Sequence, residues 1–466
     1  NKTFSGAPTN AKKGTISMWF KLSQNDSSSN NYYRLFVTGA DGSNRTDLNI
    51  VKPDADVDSN DTAGKLLFSH LVGGNNYTWR TNRQLRDFSA YYHLVVAYDT
   101  TQASASDRVK IYINGAQETS LDNSPTIPQN TDLFFGNNSS AHHIGNSPHY
   151  SPRFFQGLMA HFAYVDGTAL TPTSFGETDS TSGIWKFKPP TGVTWGNNGV
   201  HLKFENSGNL GLDSSGNTHN FTVNGNLKQA IDNPSIGICT LNPNLPSPSG
   251  FIISQGNLSF ACSGSQWQGA VSSIAPTKGK WYYECQYTTG VGIKLDIMRQ
   301  SPDLRHMATN NQSYGAYSSD GYGYQLNNSG TDYYCSNNTC TTWNSSANGN
   351  STKIYMVCID LDNGKYWIGA NGTWANKTGT ANPATGTDPL HSFSAKLNGE
   401  PFYITMSAEG TGSTHHANFG SGFYGTTAVS TNSGNGYSDA NSEGKFSYQP
   451  PSGYYALTTK NFNTYG

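Results

Sequence analysis

The side chains in this chain that could carry chemistry are mainly aromatic and acidic. Between Asn310 and Asn348, Tyr314, Tyr317, Tyr322, Tyr324, Tyr333, Tyr334 and Trp343 lie among Asn, Ser and Gly. Aromatic faces flanked by amides and hydroxyls suit carbohydrate, because a sugar stacks its apolar face on the ring and hydrogen-bonds at its edge. The same composition also makes protein-binding loops. Tyr317 and Tyr322 fall where strands are expected and read as packing residues. Tyr314, Tyr324, Tyr333, Tyr334 and Trp343 are the ligand-binding candidates, and for Tyr333, Tyr334 and Trp343 packing is an equally open reading. Tyr77 and Trp79 form a smaller candidate patch.

Other chemistries find less support. Asp54, Asp56 and Asp58 could supply oxygen ligands to Ca2+, but the stretch lacks the Gly and terminal Glu of an EF-hand loop, so a solvated loop is expected and no cofactor is required. Asp41, followed by Gly42, is a similar candidate. His142-His143 and His415-His416 are adjacent pairs. On a strand, neighbouring side chains point to opposite faces, so neither pair makes a joint metal site, and exposed loop histidines are expected. Cys285 and Cys358 sit in apolar patterns and read as buried thiols. Cys335 and Cys340 flank a polar Ser-Asn-Asn-Thr stretch, where a local disulfide and two free thiols are both open. The chain has no GxSxG elbow, HExxH or phosphate-binding loop, and no motif pairs two carboxylates as a glycosidase requires. The expectation is a protein that is not an enzyme.

The elements that must position these residues are strands. TISMWFKL at 15–22 alternates apolar and polar residues, with Trp19 on the polar side, and predicts a half-exposed strand. Further strands are read at 33–38, 65–71, 92–98, 109–113 and 200–204. Lys353 to Trp374 joins two apolar runs through Asp362-Asn363-Gly364, which predicts a type I′ hairpin whose first strand is buried on both faces. Fifty glycines and 12% aromatic residues fit many turns and thin sandwich cores. The fold class read from this is all-β, with two antiparallel β-sandwiches at 1–232 and 233–466 joined by a Pro-rich stretch at 231–250. Lys and Arg total 29 against 31 acids, which gives none of the basic excess a nucleic-acid partner needs. No apolar run reaches the ~20 residues that span a membrane.

WFKL, YHLVVAYD and VKIYINGAQ, followed by His143-Ile-Gly145 and Phe155 to Tyr164, are similar to laminin G-like or concanavalin A-like jelly rolls. That family usually opens with a strand ahead of the segment matching 1–8, which implies that the chain starts inside a longer product. Leu170 to Glu177, Gly183 to Pro189 and Leu212 to Thr222 resemble a connector module of tail- and fibre-type proteins of marine bacteriophages. Gly279-Lys-Trp-Tyr-Tyr-Glu-Cys285, Val291-Gly-Ile293, Tyr317 to Tyr322 and the 353–374 hairpin resemble, in that order, the landmarks of a SPRY domain, in which Glu284 would be a scaffold position. Together these resemblances imply a virion appendage, a tail or capsid fibre that binds a host-surface glycan or receptor. Its partners would be other virion proteins and copies of itself, a trimer by analogy, and its location the virion surface. A secreted or cell-surface adhesin or lectin is the alternative, placed outside the cell, and a polysaccharide-degrading enzyme stands behind both. Asp232 to Asn242 also echoes Pro451 to Asn461, which predicts that the two ends of the second domain pair.

Overall fold

The computed structural model describes the chain except residues 24–30, 54–62, 150–152, 245–250, 263–266, 290–291, 300–320, 328–331, 337–338, 344–352, 376–378, 394–398, 411 and 431–435, and the side chains of Thr289, Arg299, Leu326, Asn327 and Trp343. It is all-β and forms two compact units, Asn1–Leu22 with Ser27–Gln229, and Ala230–Gly466.

The first unit contains β1 (Lys13–Leu22), β2 (Tyr32–Gly39), β3 (Arg45–Val51), β4 (Lys65–Val72), β5 (Asn75–Gln84), β6 (Tyr92–Asp99), β7 (Val109–Ile113), β8 (Ala116–Gln117), β9 (Leu121–Asn123), β10 (His142–Ile144), β11 (Gly157–Asp166), β12 (Gly176–Thr178), β13 (Trp185–Phe187) and β14 (Val200–Leu202). Two six-stranded antiparallel sheets, β14-β11-β1-β6-β7-β8 and β10-β2-β3-β4-β5-β9, face each other. Ile16, Met18, Phe20, Leu48, Phe68, Val96 and Phe162 are among the side chains that fill the space between them. Strand alternation puts one residue in two into that core. β14 extends the first sheet as an edge strand, pairing Val200 with Tyr164.

β1 is not half-exposed as its alternation suggests. Every residue from Gly14 to Leu22 is buried, Trp19 included. The cause lies some 150 residues downstream, where the segment after β11 folds back over the outer face as a third layer. Phe175, Leu170, Val193 and Trp195 pack there on Val95, Ala163 and Val165.

The second unit contains β15 (Phe251–Ser254), β16 (Ser259–Cys262), β17 (Gln268–Val271), β18 (Lys280–Thr289), β19 (Gly292–Arg299), β20 (Gly321–Asn327), β21 (Asp332–Ser336), β22 (Thr339–Trp343), β23 (Ile354–Asp360), β24 (Lys365–Ala370), β25 (Thr373–Trp374), β26 (His391–Ser392), β27 (Phe402–Glu409), β28 (Ser413–Asn418) and a short helix α1 (Thr459–Tyr465). One sheet runs β15-β16-β28-β18-β23-β24-β25 and the other β17-β27-β19-β20-β21-β22. β23 is buried on both faces. Tyr355, Val357 and Ile359 enter the inter-sheet core, whereas Met356 and Cys358 meet Phe446, Tyr454 and Ala456 from the C-terminal segment.

The β23–β24 turn differs from the sequence expectation. Asp360 pairs with Lys365 across a four-residue loop, and positive φ occurs at Gly364 but not at Asn363. The Asp360 carboxylate accepts from Asn363 N at 2.9 Å and so fixes the start of the loop. Gly364 is required because a Cβ there would lie 1.9 Å from the Phe393 carbonyl. Two-residue turns with positive φ at both positions occur instead at Asn114-Gly115 and Asn371-Gly372.

The ends of the second unit do pair. Ile238 bridges Thr458, Cys239 N donates to Leu457 O at 2.9 Å, and Thr459 N donates to Gly237 O at 2.9 Å. Part of the Pro-rich stretch is therefore core: Ile238, Cys239 and Leu241 are buried.

Candidate recognition site

Two serine–histidine pairs look at first like nucleophile and base. Ser17 Oγ lies 2.9 Å from His93 Nε2. Trp185 Nε1, an obligate donor, gives its proton to His93 Nδ1 at 2.9 Å. The imidazole proton of the neutral ring must then sit on Nε2, where it donates to Ser17 and cannot accept from it. Burial keeps that ring neutral and pulls its pKa down to about 3. In the second unit Ser259 Oγ meets His416 Nδ1 at 2.6 Å, but the serine is buried and also contacts Gln255 Oε1 at 2.6 Å. Neither serine can reach a substrate carbonyl from solvent.

Glu284 is a buried carboxylate with five donors around it. Its Oε1 accepts from Tyr282 Oη at 2.9 Å and Tyr448 N at 2.8 Å, and its Oε2 from Ser447 N at 2.9 Å, Asn418 Nδ2 at 3.3 Å and Tyr424 Oη. Burial pushes its pKa up while these donors oppose the shift. The residue clamps the C-terminal segment to β18, which is a scaffold role.

The aromatic candidates separate by strand parity. Ile293, Leu295 and Ile297 of β19 face the core, so Lys294 and Asp296 lie on the opposite, outer face of the sheet, where both are nevertheless buried. Across the sheet Lys294 is opposite Ser407 and Gln325, Gln325 is opposite Tyr333, and Tyr333 is opposite Thr342. Tyr333 therefore lies on the outer face, half-buried, between a half-buried amide and an exposed hydroxyl residue. Tyr334 takes the opposite parity and packs against the core beside His391, ring centroids 5.8 Å apart.

Tyr324 is a correction to the sequence reading. It is fully buried, and its hydroxyl donates to Asp332 Oδ2 at 2.7 Å. Trp79 is a second correction, since it is buried against Phe68 at 5.6 Å. Tyr77 has the same parity, is half-buried, and stacks on His70 at 6.4 Å, so no aromatic patch forms there. Tyr322, read as a packing residue, stacks on Phe393 at 4.8 Å. Tyr314, Tyr317, the Trp343 side chain and Asp54, Asp56 and Asp58 lie outside the described residues.

Cys335 and Cys340 are directly opposite on β21 and β22 and are joined as a disulfide, Cα atoms 4.1 Å apart. The bond clips the hairpin that carries Tyr333. Lys294, in the same row, sits 3.8 Å over the Trp267 ring, and burial brings its pKa down to about 8 against the pull of Asp296 and Glu409.

The histidine pairs are not in exposed loops. His142 and His415 are strand residues with no exposure, each lowered to about 3 by burial. Asp41 Oδ1 caps its own turn, accepting from Ser43 N at 2.7 Å and Asn44 N at 2.8 Å. Among the described residues no three His, Cys, Asp or Glu side chains are placed to hold a metal ion.

Sequence reasoning missed a second cluster, on the outer face of the β1 sheet. Trp185, Phe187 and Trp195 stack on His93, His161 and His201 at 5.9, 3.8 and 5.3 Å, with interplanar angles of 13°, 17° and 15°. The only sequence signal was the alternation Ile-Trp-Lys-Phe-Lys. The slot for Trp185 is cut by two glycines, since a Cβ on Gly115 or on Gly176 would fall 2.5 Å from its ring.

Residues 2–174 match the family model of the concanavalin A-like lectin/glucanases superfamily. No curated protein matches the chain at a significant level. Solved structures similar to it include the TRIM65 PSpry domain (14% identity, 38% of this chain and 89% of that one, TM-score 0.30). The SPRY domain of human HERC1 is another (10% identity, 36% and 91%, TM-score 0.26). Stonustoxin is a third (16% identity, 39% of this chain but 27% of that one, TM-score 0.27).

Proposed function

We propose that this chain is a non-enzymatic virion appendage protein, a tail or capsid fibre that binds a host-surface glycan or receptor. The observation that carries the reading is the placement of Tyr333. It lies on the outer face of the second sandwich, between Gln325 and Thr342, on a hairpin braced by the Cys335–Cys340 bond. A half-buried ring with an amide on one side and a hydroxyl on the other offers a sugar a stacking face and hydrogen bonds at its rim. Bracing the hairpin before contact lowers the ordering cost of binding.

The two sandwiches and the first unit's likeness to a lectin and glucanase superfamily are compatible with binding. Assignment to a phage fibre rests on the connector resemblance at residues 170–222. The buried serine–histidine pairs favour binding over turnover. Other virion proteins and further copies of this chain are the proposed assembly partners.

The test has two arms. Immunogold labelling with antibody to the chain should decorate virion tails or capsid surfaces, and purified chain should bind host envelopes without releasing reducing sugar. Labelling confined to host cells would favour a cellular adhesin. Release of reducing ends would restore an enzyme.

A further inference from the structure

We propose that the strap between Thr171 and Thr194 is an acid-released latch: protonation of His93, His161 and His201 frees it and uncovers the outer face of the β1 sheet. The inference concerns the first unit alone and is independent of the recognition site.

The strap is tethered at its ends. Leu170 N donates to Thr15 Oγ1 at 2.7 Å, and Asp166 N donates to Trp195 O at 2.9 Å. Between these tethers β12 and β13 pair with each other and not with the sheet. Among the described residues, the hydrogen bond from this stretch to the sheet is Trp185 Nε1 to His93 Nδ1. Otherwise ring stacking and apolar packing hold it down, and each stacked ring of strap and downstream tether rests on one histidine.

Protonation meets a specific obstacle at each ring. His93 faces Ser17 and Trp19 from β1 and Trp185 from β13, and among the described residues no charged group acts on it. A second proton, on Nδ1, would point one N–H at another. His161 is turned into the cluster by a bulge opposite Ser17 to Trp19, with φ +51. Its Nδ1 is buried and has no partner, so a proton there would be an unsatisfied donor. Around it are Phe187 and His201, with Lys203 opposing its charge and Glu205 favouring it. His201 stacks on Trp195, faces the same Lys203 and Glu205, and has Asp213 below it. The Asp213 carboxylate is already occupied by His201 N, Ser215 N and Oγ, and His219 N. A charged imidazole on an aromatic face gains some cation–π energy, but desolvation dominates at all three rings, and released histidines titrate near 6.5. Release therefore takes up protons. Its equilibrium constant should grow by up to about a thousandfold per pH unit below 6 if all three rings contribute.

Hydrogen exchange of the full-length chain, corrected for intrinsic rates, tests this at pH 7, 5.5 and 4.5. Peptides covering Gly176–Lys188 should lose protection at least one pH unit above those covering β3 and β4. His93→Gln should flatten the strap's dependence by about tenfold per pH unit, the equivalent of one proton. Loss of protection by strap and β3–β4 at the same pH, or a strap indifferent to pH, would overturn the proposal on the wild-type chain alone.

Discussion

At the scale of single residues, the two units use the same device. A buried polar side chain pins a strand-poor segment to the outer face of a sheet, His93 in the first unit and Glu284 in the second. Glu284→Gln replaces an acceptor oxygen with a donor that faces donors. It should lower the stability of the second unit by about 2–4 kcal/mol, read as a shift in urea midpoint. Gly115→Ala places a methyl into the Trp185 ring at a residue with φ +81. Trp185→Ala empties the slot at a cost of about 3 kcal/mol, and both variants should expose Gly176–Lys188 to limited proteolysis while the sandwich stays folded. The scaffold position of Glu284 was implied by the SPRY resemblance, but the slot for Trp185 was not legible in the sequence. Gly115 reads only as the second residue of a tight turn, and nothing local shows that an indole from seventy residues downstream will fill the space above it. Tyr324 and Trp79 failed as candidates for a related reason: composition locates aromatic-rich segments, whereas strand parity decides which rings turn toward the core.

At the scale of elements, hydrophobic alternation located the strands well. It misread exposure wherever a third layer covers the sheet. β1 carries Ser17 and Trp19 on its outer face, which is a solvent-facing pattern until the strap residue Phe187 is placed over Trp19. The Asn363-Gly364 signal found a hairpin in the right place with the wrong turn, because the Asp360 carboxylate captures Asn363 N. The echo between Asp232–Asn242 and Pro451–Asn461 did foresee the pairing of Ile238 with Thr458. The β20–β22 hairpins are the element on which the proposed recognition depends. Reducing the Cys335–Cys340 bond, or replacing both cysteines with serine, should loosen the β21–β22 hairpin by about 2 kcal/mol, the chain-entropy value for so short a loop. Faster amide exchange confined to β21 and β22 is the expected outcome.

At the scale of the whole molecule, the buried histidines make stability depend on pH. Burial lowers His93, His142 and His415 to about 3, and His70, His143, His161 and His201 to about 4. Each has a folded pKa below the unfolded value of about 6.5, so the unfolded chain binds more protons between the two. Stability is therefore complete above about pH 7 and falls as pH drops toward 4, by about 1–2 kcal/mol per fully buried ring at pH 5. Urea midpoints at pH 7.5 and pH 5 should show this in both units. The central claim, that the outer face around Tyr333 binds a host-surface glycan or receptor, is tested most directly by binding to intact host envelopes at neutral pH, comparing wild type with Tyr333→Ala. The account predicts saturable binding by wild type, at least a tenfold weaker Kd for the variant, and an unchanged melting temperature. Equal affinity for the two chains would contradict it.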